Sequence, residues 1–285
     1  MRKGYAADKI YERIFTAENE AGGRISSLGI KAYRTRTTRS GPVLEIEAYP
    51  IWSTRPKISA ARGAANREAV ERINHKNRVR HMTRLADANF GPGDISITKT
   101  YETAPDITGA QRDMRKFIRL ARAECARRGT RLKYIYVIEG GADGKRVHQH
   151  MLLSGLDRDT AERIWQSVAA GRVNADRLQI DRHGLAALCA YMLKDRRRPG
   201  ARRMRWACSR NLAKPETRVS DTRISRRRAA AIARDVDEAA HLIFTRLYPG
   251  YEYVEHAVKT SAYVSGAYIY AKLYRSGGGG WQGHT

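Results

Sequence analysis

From Asp94 to Tyr101, Ile95 and Ile97 alternate with Ser96, Thr98 and Thr100, and this period of two predicts a half-buried strand. A partly alternating run from about Lys31 to Trp52 breaks at Ser40-Gly41-Pro42 and predicts a β-hairpin. Residues 62 to 88 predict a basic helix ending near Asn89, and Gly91-Pro92-Gly93 marks the loop before the 94–101 strand. A second helix is expected from 107 to 128, with Met114, Ile118, Leu120 and Ala121 in its buried stripe and Gly129 as its stop. A hairpin follows at about 132 to 153. Asp157 then suits the N-cap of a helix through Trp165, with Asp159 adding negative charge to the first turn. A short strand near Asp176 to Ile180 leads through Gly184 into a helix at 185 to 194, whose buried stripe is Leu185, Leu188, Cys189 and Met192.

Strand, helix, hairpin, helix, strand, helix is the order of an α+β fold, an antiparallel sheet with helices packed on one face and the other face open for a site. The pattern sets boundaries near 90 and 211. Residues 1–90 form an N-terminal elaboration of hairpin and basic helix, and 91–210 form the core. Residues 211–275 hold a basic helix (225 to 247) and a segment rich in tyrosine (Tyr248, Tyr251, Tyr253, Tyr263, Tyr268, Tyr270, Tyr274), either a second small domain or an elaboration of the first. Residues 276–285, with Gly277 to Gly280, read as a flexible tail.

The hairpin at 132–153 carries the sharpest chemistry. Asp143-Gly144 is a strong type I′ turn signal, and counting outward from it sets Glu139 opposite His148. His150, two residues further along, returns to the same sheet face, so a carboxylate and two imidazoles converge as a three-ligand metal site. On the other face Tyr134, Tyr136 and Ile138 join Val147, Met151 and Leu153 in a core surface, where Gln149 is the misfit.

Charge narrows the partners. The chain of 285 residues has 54 Lys plus Arg against 29 Asp plus Glu, a formal net charge of +25. Such an excess, clustered at Arg196-Arg197-Arg198 and Arg226-Arg227-Arg228, predicts a polyanionic partner. Nucleic acid fits better than a membrane, because no long apolar run or amphipathic anchor accompanies the charge. Cys125, Cys189 and Cys208 are too few and too scattered for a disulfide framework or a CxxC zinc knuckle. The opening residues MRKGYAADKIYERIF lack a continuous apolar core for a signal peptide, and no stretch of about 20 apolar residues could span a bilayer. A cytoplasmic protein is expected.

Downstream, Tyr191 and Lys194 lie one turn apart at the edge of the 185–194 stripe. A phenol attacking a DNA phosphate would pass through a crowded, negatively charged state that an ammonium and a divalent cation stabilise. The Arg-dense segment DRRRPGARRMRWACSR, residues 195 to 210, then offers Arg196, Arg197, Arg198, Arg202, Arg203 and Arg205 to phosphates and Trp206 to an unpaired base. Arg226 to Arg228 and the helix at 62 to 88 are weaker candidates for the duplex part of an origin. Residues 140–145 fail as a P-loop, since Glu139 stands where glycine is needed and Arg146 where Ser or Thr is needed, so a host helicase would have to unwind the template.

Glu139, eight intervening residues, His148-Gln149-His150, about forty residues and then Tyr191-Met192-Leu193-Lys194 together resemble the HUH endonuclease superfamily. Within it they are similar to the rolling-circle replication initiators of plasmids and small single-stranded-DNA phages. VHQHMLLSGL and SRNLAKPETRVSD resemble phage-type replication-associated proteins of bacterial mobile elements, and the 94–101 strand lies where that superfamily carries its first motif. The similarity runs from about residue 30 to 275, with its specific motifs confined to 94–194.

This resemblance implies a ferredoxin- or RRM-like core and a bacterial cytoplasmic enzyme. It implies Mg²⁺ or Mn²⁺ held by Glu139, His148 and His150, although two imidazoles also suit Zn²⁺ or Ni²⁺. Tyr191, supported by Lys194, would nick single-stranded origin DNA, keep the 5′ phosphate covalently and release a 3′ hydroxyl as primer for a DNA polymerase. Two features depart from the family. Gln149 occupies a usually hydrophobic position, and a lone tyrosine on the nucleophile helix leaves termination to a second subunit, as in a homodimer, or to another nucleophile. A relaxase or transposase of the same superfamily would share the chemistry. A non-catalytic RNA- or DNA-binding protein would share only the basic α+β sheet, and an RNA-recognition domain needs RNP-like aromatics where the 94–101 strand offers only Tyr101.

Overall fold

A computed structural model of the protein describes residues 29–53, 67–140, 146–194, 206–234, 238–260 and 264–275. Strands β1 (Ile30–Ser40) and β2 (Val43–Trp52) form the first hairpin, closing at Gly41-Pro42 with Ser40 opposite Val43. Helix α1 (Arg67–Asp87) precedes strand β3 (Ile95–Thr100) and helix α2 (Ile107–Arg127). The α2 N-terminus is set by Asp106, whose carboxylate accepts from the Gly109 N–H at 2.7 Å. Strands β4 (Lys133–Glu139) and β5 (His148–Ser154) make the second hairpin. Helix α3 (Arg158–Gln166) starts at its predicted cap, Asp157. Strand β6 (Val173–Arg177), helix α4 (Ala186–Met192) and the short strand β7 (Trp206–Cys208) follow.

These elements from α1 to β7 lie in one compact unit, residues 68–214. Its antiparallel sheet runs β6-β3-β5-β4-β7, so β5 is the middle strand and is paired along both edges. One face packs against α2 and α3 through Ile95, Ile97, Ile138, Val147, Met151 and Leu153, with Phe117 and Trp165 from the helices. The fold is the expected α+β class. The opposite face is not left open along its length: Ile135, Val137 and Leu152 cluster with Met82, Leu85 and Ala86 of α1 and with Leu185, Cys189 and Met192 of α4. Apolar side chains on both faces of β4 and β5 require cover on both sides, and only the end of the hairpin, where Glu139 and His148 replace aliphatic residues, remains for a site.

The other unit unites residues 1–67 with 215–278. Strand β8 (Glu216–Ser220), helices α5 (Arg226–Arg234) and α6 (Glu238–Leu247), and strands β9 (Glu252–Thr260) and β10 (Ala267–Tyr274) complete it. Its sheet runs β8-β1-β2-β10-β9, with β10 paired antiparallel to β2. The chain therefore divides near 67 and 214, not near 90 and 211, because α1 packs with the β3–β7 sheet and the C-terminal strands pair with the N-terminal hairpin. The predicted 225–247 helix is two helices, and the Tyr-rich segment is a strand pair. Leu44, Ile46, Ile269 and Leu273 face the helices, while the Tyr268 and Tyr270 hydroxyls donate to buried Glu47 and Glu45 at 2.7 and 2.8 Å. The 276–285 tail lies outside the described residues.

One buried cation stands out in the 68–214 unit. Lys99, fully buried, sits on β3 opposite Gln149, with Nζ 3.5 Å from the sulfurs of Met114 and Met151 and 3.8 Å from the Phe117 ring centroid. Burial pushes its pKa well below the ordinary 10.5. Gln149, the sequence misfit, is satisfied there: its Nε2 donates to Tyr101 Oη at 2.6 Å and to the Ala110 carbonyl at 3.0 Å. The unfolded chain binds a proton at Lys99 that the folded chain releases, so wild-type stability should rise with pH from the depressed pKa up to the ordinary value. Lys99→Met should raise the melting temperature at neutral pH, by roughly 2–4 °C for each kcal/mol regained, and flatten that pH dependence. Calorimetry across pH checks both; a lower melting temperature in the variant would mean that the amine stabilises the core.

Candidate active site

Pairing register assembles the metal-ligand triad. Glu139 lies opposite His148, and Val137 opposite His150, so both rings and the carboxylate project from the same face at the end of the central hairpin. The 141–145 turn that predicts this register lies outside the described residues. At its base Gly140 adopts φ +83, and a Cβ there would meet the Arg146 carbonyl oxygen at 2.2 Å, so only glycine lets the two arms close.

Glu139 is 2% exposed and His150 3%, whereas His148 lies nearer the surface. Glu139 Oε2 is 2.9 Å from His148 Nε2, 3.3 Å from His150 Nε2 and 3.3 Å from Lys194 Nζ. Burial by itself would raise the carboxyl pKa, but the close His148 and His150 rings, with the Lys194 charge, outweigh it and hold the group well below the usual carboxylate range. The hydrogen bond to Glu139 raises the His148 pKa.

The outer ring nitrogens are also held. His148 Nδ1 is 3.2 Å from the Arg146 carbonyl, which can only accept, so Nδ1 carries the proton and Nε2 faces Glu139. His150 Nδ1 meets the Thr98 hydroxyl at 3.1 Å, since Thr98 is its cross-strand partner on β3. The ligand atoms of Glu139, His148 and His150 lie within 4.8 Å of one another. Glu139 Oε1 and His150 Nε2 are buried without a well-formed hydrogen bond, an arrangement costly in a resting pocket and suited to a cation. One carboxylate and two imidazoles, with both rings backed by an outer partner, fit a divalent metal.

Helix α4 brings Tyr191 and Lys194 to the same place. The Tyr191 ring lies 5.2 Å from the His150 ring and is 52% exposed, and Lys194 Nζ sits 4.0 Å over the Tyr191 ring. Burial would lower the Lys194 pKa, but the Glu139 charge and the contact with Tyr191 raise it overall. The helix is short and starts without a side-chain cap from its own N-cap residue. Its anchor comes from α1 instead: Asp87 accepts from the Leu185 N–H at 2.7 Å, and Gly184, at φ +73, passes so close that a Cβ would meet the Asp87 carboxylate at 2.5 Å.

Arg196, Arg197, Arg198, Arg202, Arg203 and Arg205 lie outside the described residues. Trp206 is not in a loop but on β7, opposite Val137, where the outer edge of β4 offers unpaired backbone; its half-buried ring stands edge-on to His81 at 5.9 Å. Sequence pattern gives no role to Thr98 or Asp87. Thr98 lies in the predicted strand, but its partner is visible only once β3 is paired with β5.

Residues 94–196 match the family model of the replication-associated protein ORF2, a stretch that spans Thr98, the Glu139-His148-His150 cluster, Tyr191 and Lys194. No curated protein and no solved structure matches the chain. Among the described residues, no helix is long and apolar enough to cross a membrane.

If Thr98 orients His150, Thr98→Val should weaken Mn²⁺ binding roughly 10–100-fold by isothermal titration while the fold persists. An unchanged affinity would remove Thr98 from the site.

Proposed function

We propose that the protein is a metal-dependent DNA strand transferase that initiates rolling-circle replication by nicking single-stranded origin DNA. The observation that carries this reading is the convergence of Glu139, His148 and His150 with the half-exposed Tyr191, within the stretch that matches a replication-associated family. Glu139, His148 and His150 would hold a divalent cation, Mg²⁺ or Mn²⁺, whose chemistry is to polarise a phosphate oxygen as a Lewis acid.

Tyr191 is the nucleophile in this scheme. Its Oη loses a proton to solvent and forms a bond to phosphorus as the bond from phosphorus to the 3′ oxygen breaks. The protein keeps the 5′ phosphate as a phosphotyrosine, and the departing 3′ oxygen takes up a proton to become the primer hydroxyl. Lys194 remains charged and stands beside the phenol, where it counters the negative charge that builds on the phosphoryl group. Buried Glu139 positions Lys194 as well as the metal, which ties the ligand set to the nucleophile helix. Because the tyrosyl phosphodiester resembles the bond it replaces in energy, attack by a 3′ hydroxyl reverses the step and rejoins strands.

Tyr191→Phe should abolish the covalent adduct with labelled single-stranded origin DNA in Mn²⁺, seen on a denaturing gel, while leaving binding largely intact. Full adduct formation in that variant would eliminate Tyr191 as nucleophile. EDTA should suppress the adduct in the wild type. Gly184→Ala should preserve Mn²⁺ affinity yet slow adduct formation, by about 100-fold if α4 is displaced by an ångström; equal losses of metal binding and rate would instead indicate general unfolding.

A further inference from the structure

The 68–214 unit carries a second cationic surface on the other side of its sheet. Helix α2 turns Met114, Phe117, Ile118, Ala121 and Cys125 into the core and presents Arg112, Arg115, Lys116, Arg119 and Arg122 to solvent. These five recur at intervals of three and four residues, so they form a stripe on one helix face. Glu139, His148 and His150 project from the opposite sheet face, and a strand threaded to Tyr191 does not reach the stripe without wrapping the sheet.

Other exposed cations of this unit are neutralised locally: Arg127 and Arg128 pair with Glu124, Arg128 also with Asp157, and Arg158 with Glu162. The stripe has no such pairing among the described residues. The two acids of α2 are engaged elsewhere, Glu124 with Arg127 and Arg128, and Asp113 with Tyr101. A merely solvated helix face mixes signs and gains from pairs three or four apart, whereas like charges at that spacing repel and weaken the helix. Single-sign charge kept on a rigid, core-anchored helix points to an anionic occupant.

We propose that the outer face of α2 is a docking surface for the phosphate backbone of duplex DNA, separate from the nicking site. Arg112 to Arg122 extends over about 15 Å of helix, enough to meet several successive phosphates of one strand. Duplex fits better than unpaired strand: the neighbouring rings of Tyr134 and Tyr136, 6.0 Å apart, are packed against the core and only half exposed, so they offer no open platform for stacked bases. A membrane surface fits poorly, because the apolar side of α2 is already buried and no exposed apolar residue flanks the stripe. The surface goes beyond the nicking reading and holds whether or not Tyr191 is a nucleophile.

The test is full-length protein with Arg112, Arg115, Arg119 and Arg122 all changed to Gln, compared with a matching Arg→Lys variant. Binding to a random-sequence duplex is measured against salt, alongside Mn²⁺ titration and thermal melting. The Gln variant should lose about 3–4 from the slope of log affinity against log salt, at about 0.9 per phosphate contact, with Mn²⁺ affinity unchanged. The Lys variant should retain most of the slope. An unchanged slope in the Gln variant overturns the proposal, as does an equal loss on a single-stranded oligonucleotide, or a loss confined to phosphatidylserine vesicles. Should the Gln variant fail to melt cooperatively, the single variants decide: each should reduce the slope by up to about 0.9, and no reduction in any of them overturns it.

Discussion

The pairing of Glu139 with His148 at the end of the central hairpin is the constraint on which the rest of the site depends. Side chains alternate along a strand, so a slip of one residue between β4 and β5 would send the carboxylate and both imidazoles to the α2 side, into an apolar core. The register is secured from the other face: Ile138, Met151 and Leu153 must be buried, and Gln149 must reach Tyr101 and Ala110. The packing of one face thus fixes the chemistry of the other. β5 is also the middle strand, which lets Thr98 on β3 reach His150 while Glu139 on β4 reaches both rings.

This dependence explains what is legible in the sequence. The Glu139–His148 register follows from local turn chemistry and from alternation over a few residues, both short-range properties. The α2 and α3 caps at Asp106 and Asp157 are equally local, although only Asp157 stands out before the structure is seen. Long-range pairing is not readable. Ala267 to Tyr274 alternates small or aliphatic residues with tyrosine and lysine, a usable strand signal, but nothing local says that its partner is β2, more than two hundred residues earlier. The short strands β7 and β8 have too few residues to show a period. Likewise Ile135, Val137 and Leu152 announce a buried face without saying that α1 and α4 cover it.

Lys99 and Gln149 show how a polar residue can sit inside an otherwise consistent pattern. The strand reads as apolar inward at Ile95 and Ile97, and the next inward position is a lysine, which the period alone would assign to the core against its charge. The fold resolves the conflict by surrounding the amine with sulfur and aromatic faces and by disfavouring its proton. Gln149 resolves its own by hydrogen bonding. Both lie directly behind the ligand strand, next to Thr98 and between His148 and His150, so the polar character of this region continues through the sheet.

The two halves of the proposed site are held by different means, and the difference suits their tasks. Metal ligands must be fixed to a few tenths of an ångström, and Glu139, His148 and His150 stand on paired strands with the outer nitrogens of both rings hydrogen-bonded. A nucleophile that becomes covalently loaded with DNA must admit a bulky strand and later release it. Tyr191 accordingly sits on a short helix, half exposed, fastened at one end by Asp87 and along one side by Leu185, Cys189 and Met192. Lys194 links the two halves through Glu139, and that ion pair is the contact through which occupancy of the ligand pocket would be felt at the phenol. A carboxylate shared between a metal and Lys194 would divide its charge between them, so loading the pocket loosens Lys194 from Glu139 and frees its charge for the phosphoryl group beside Tyr191.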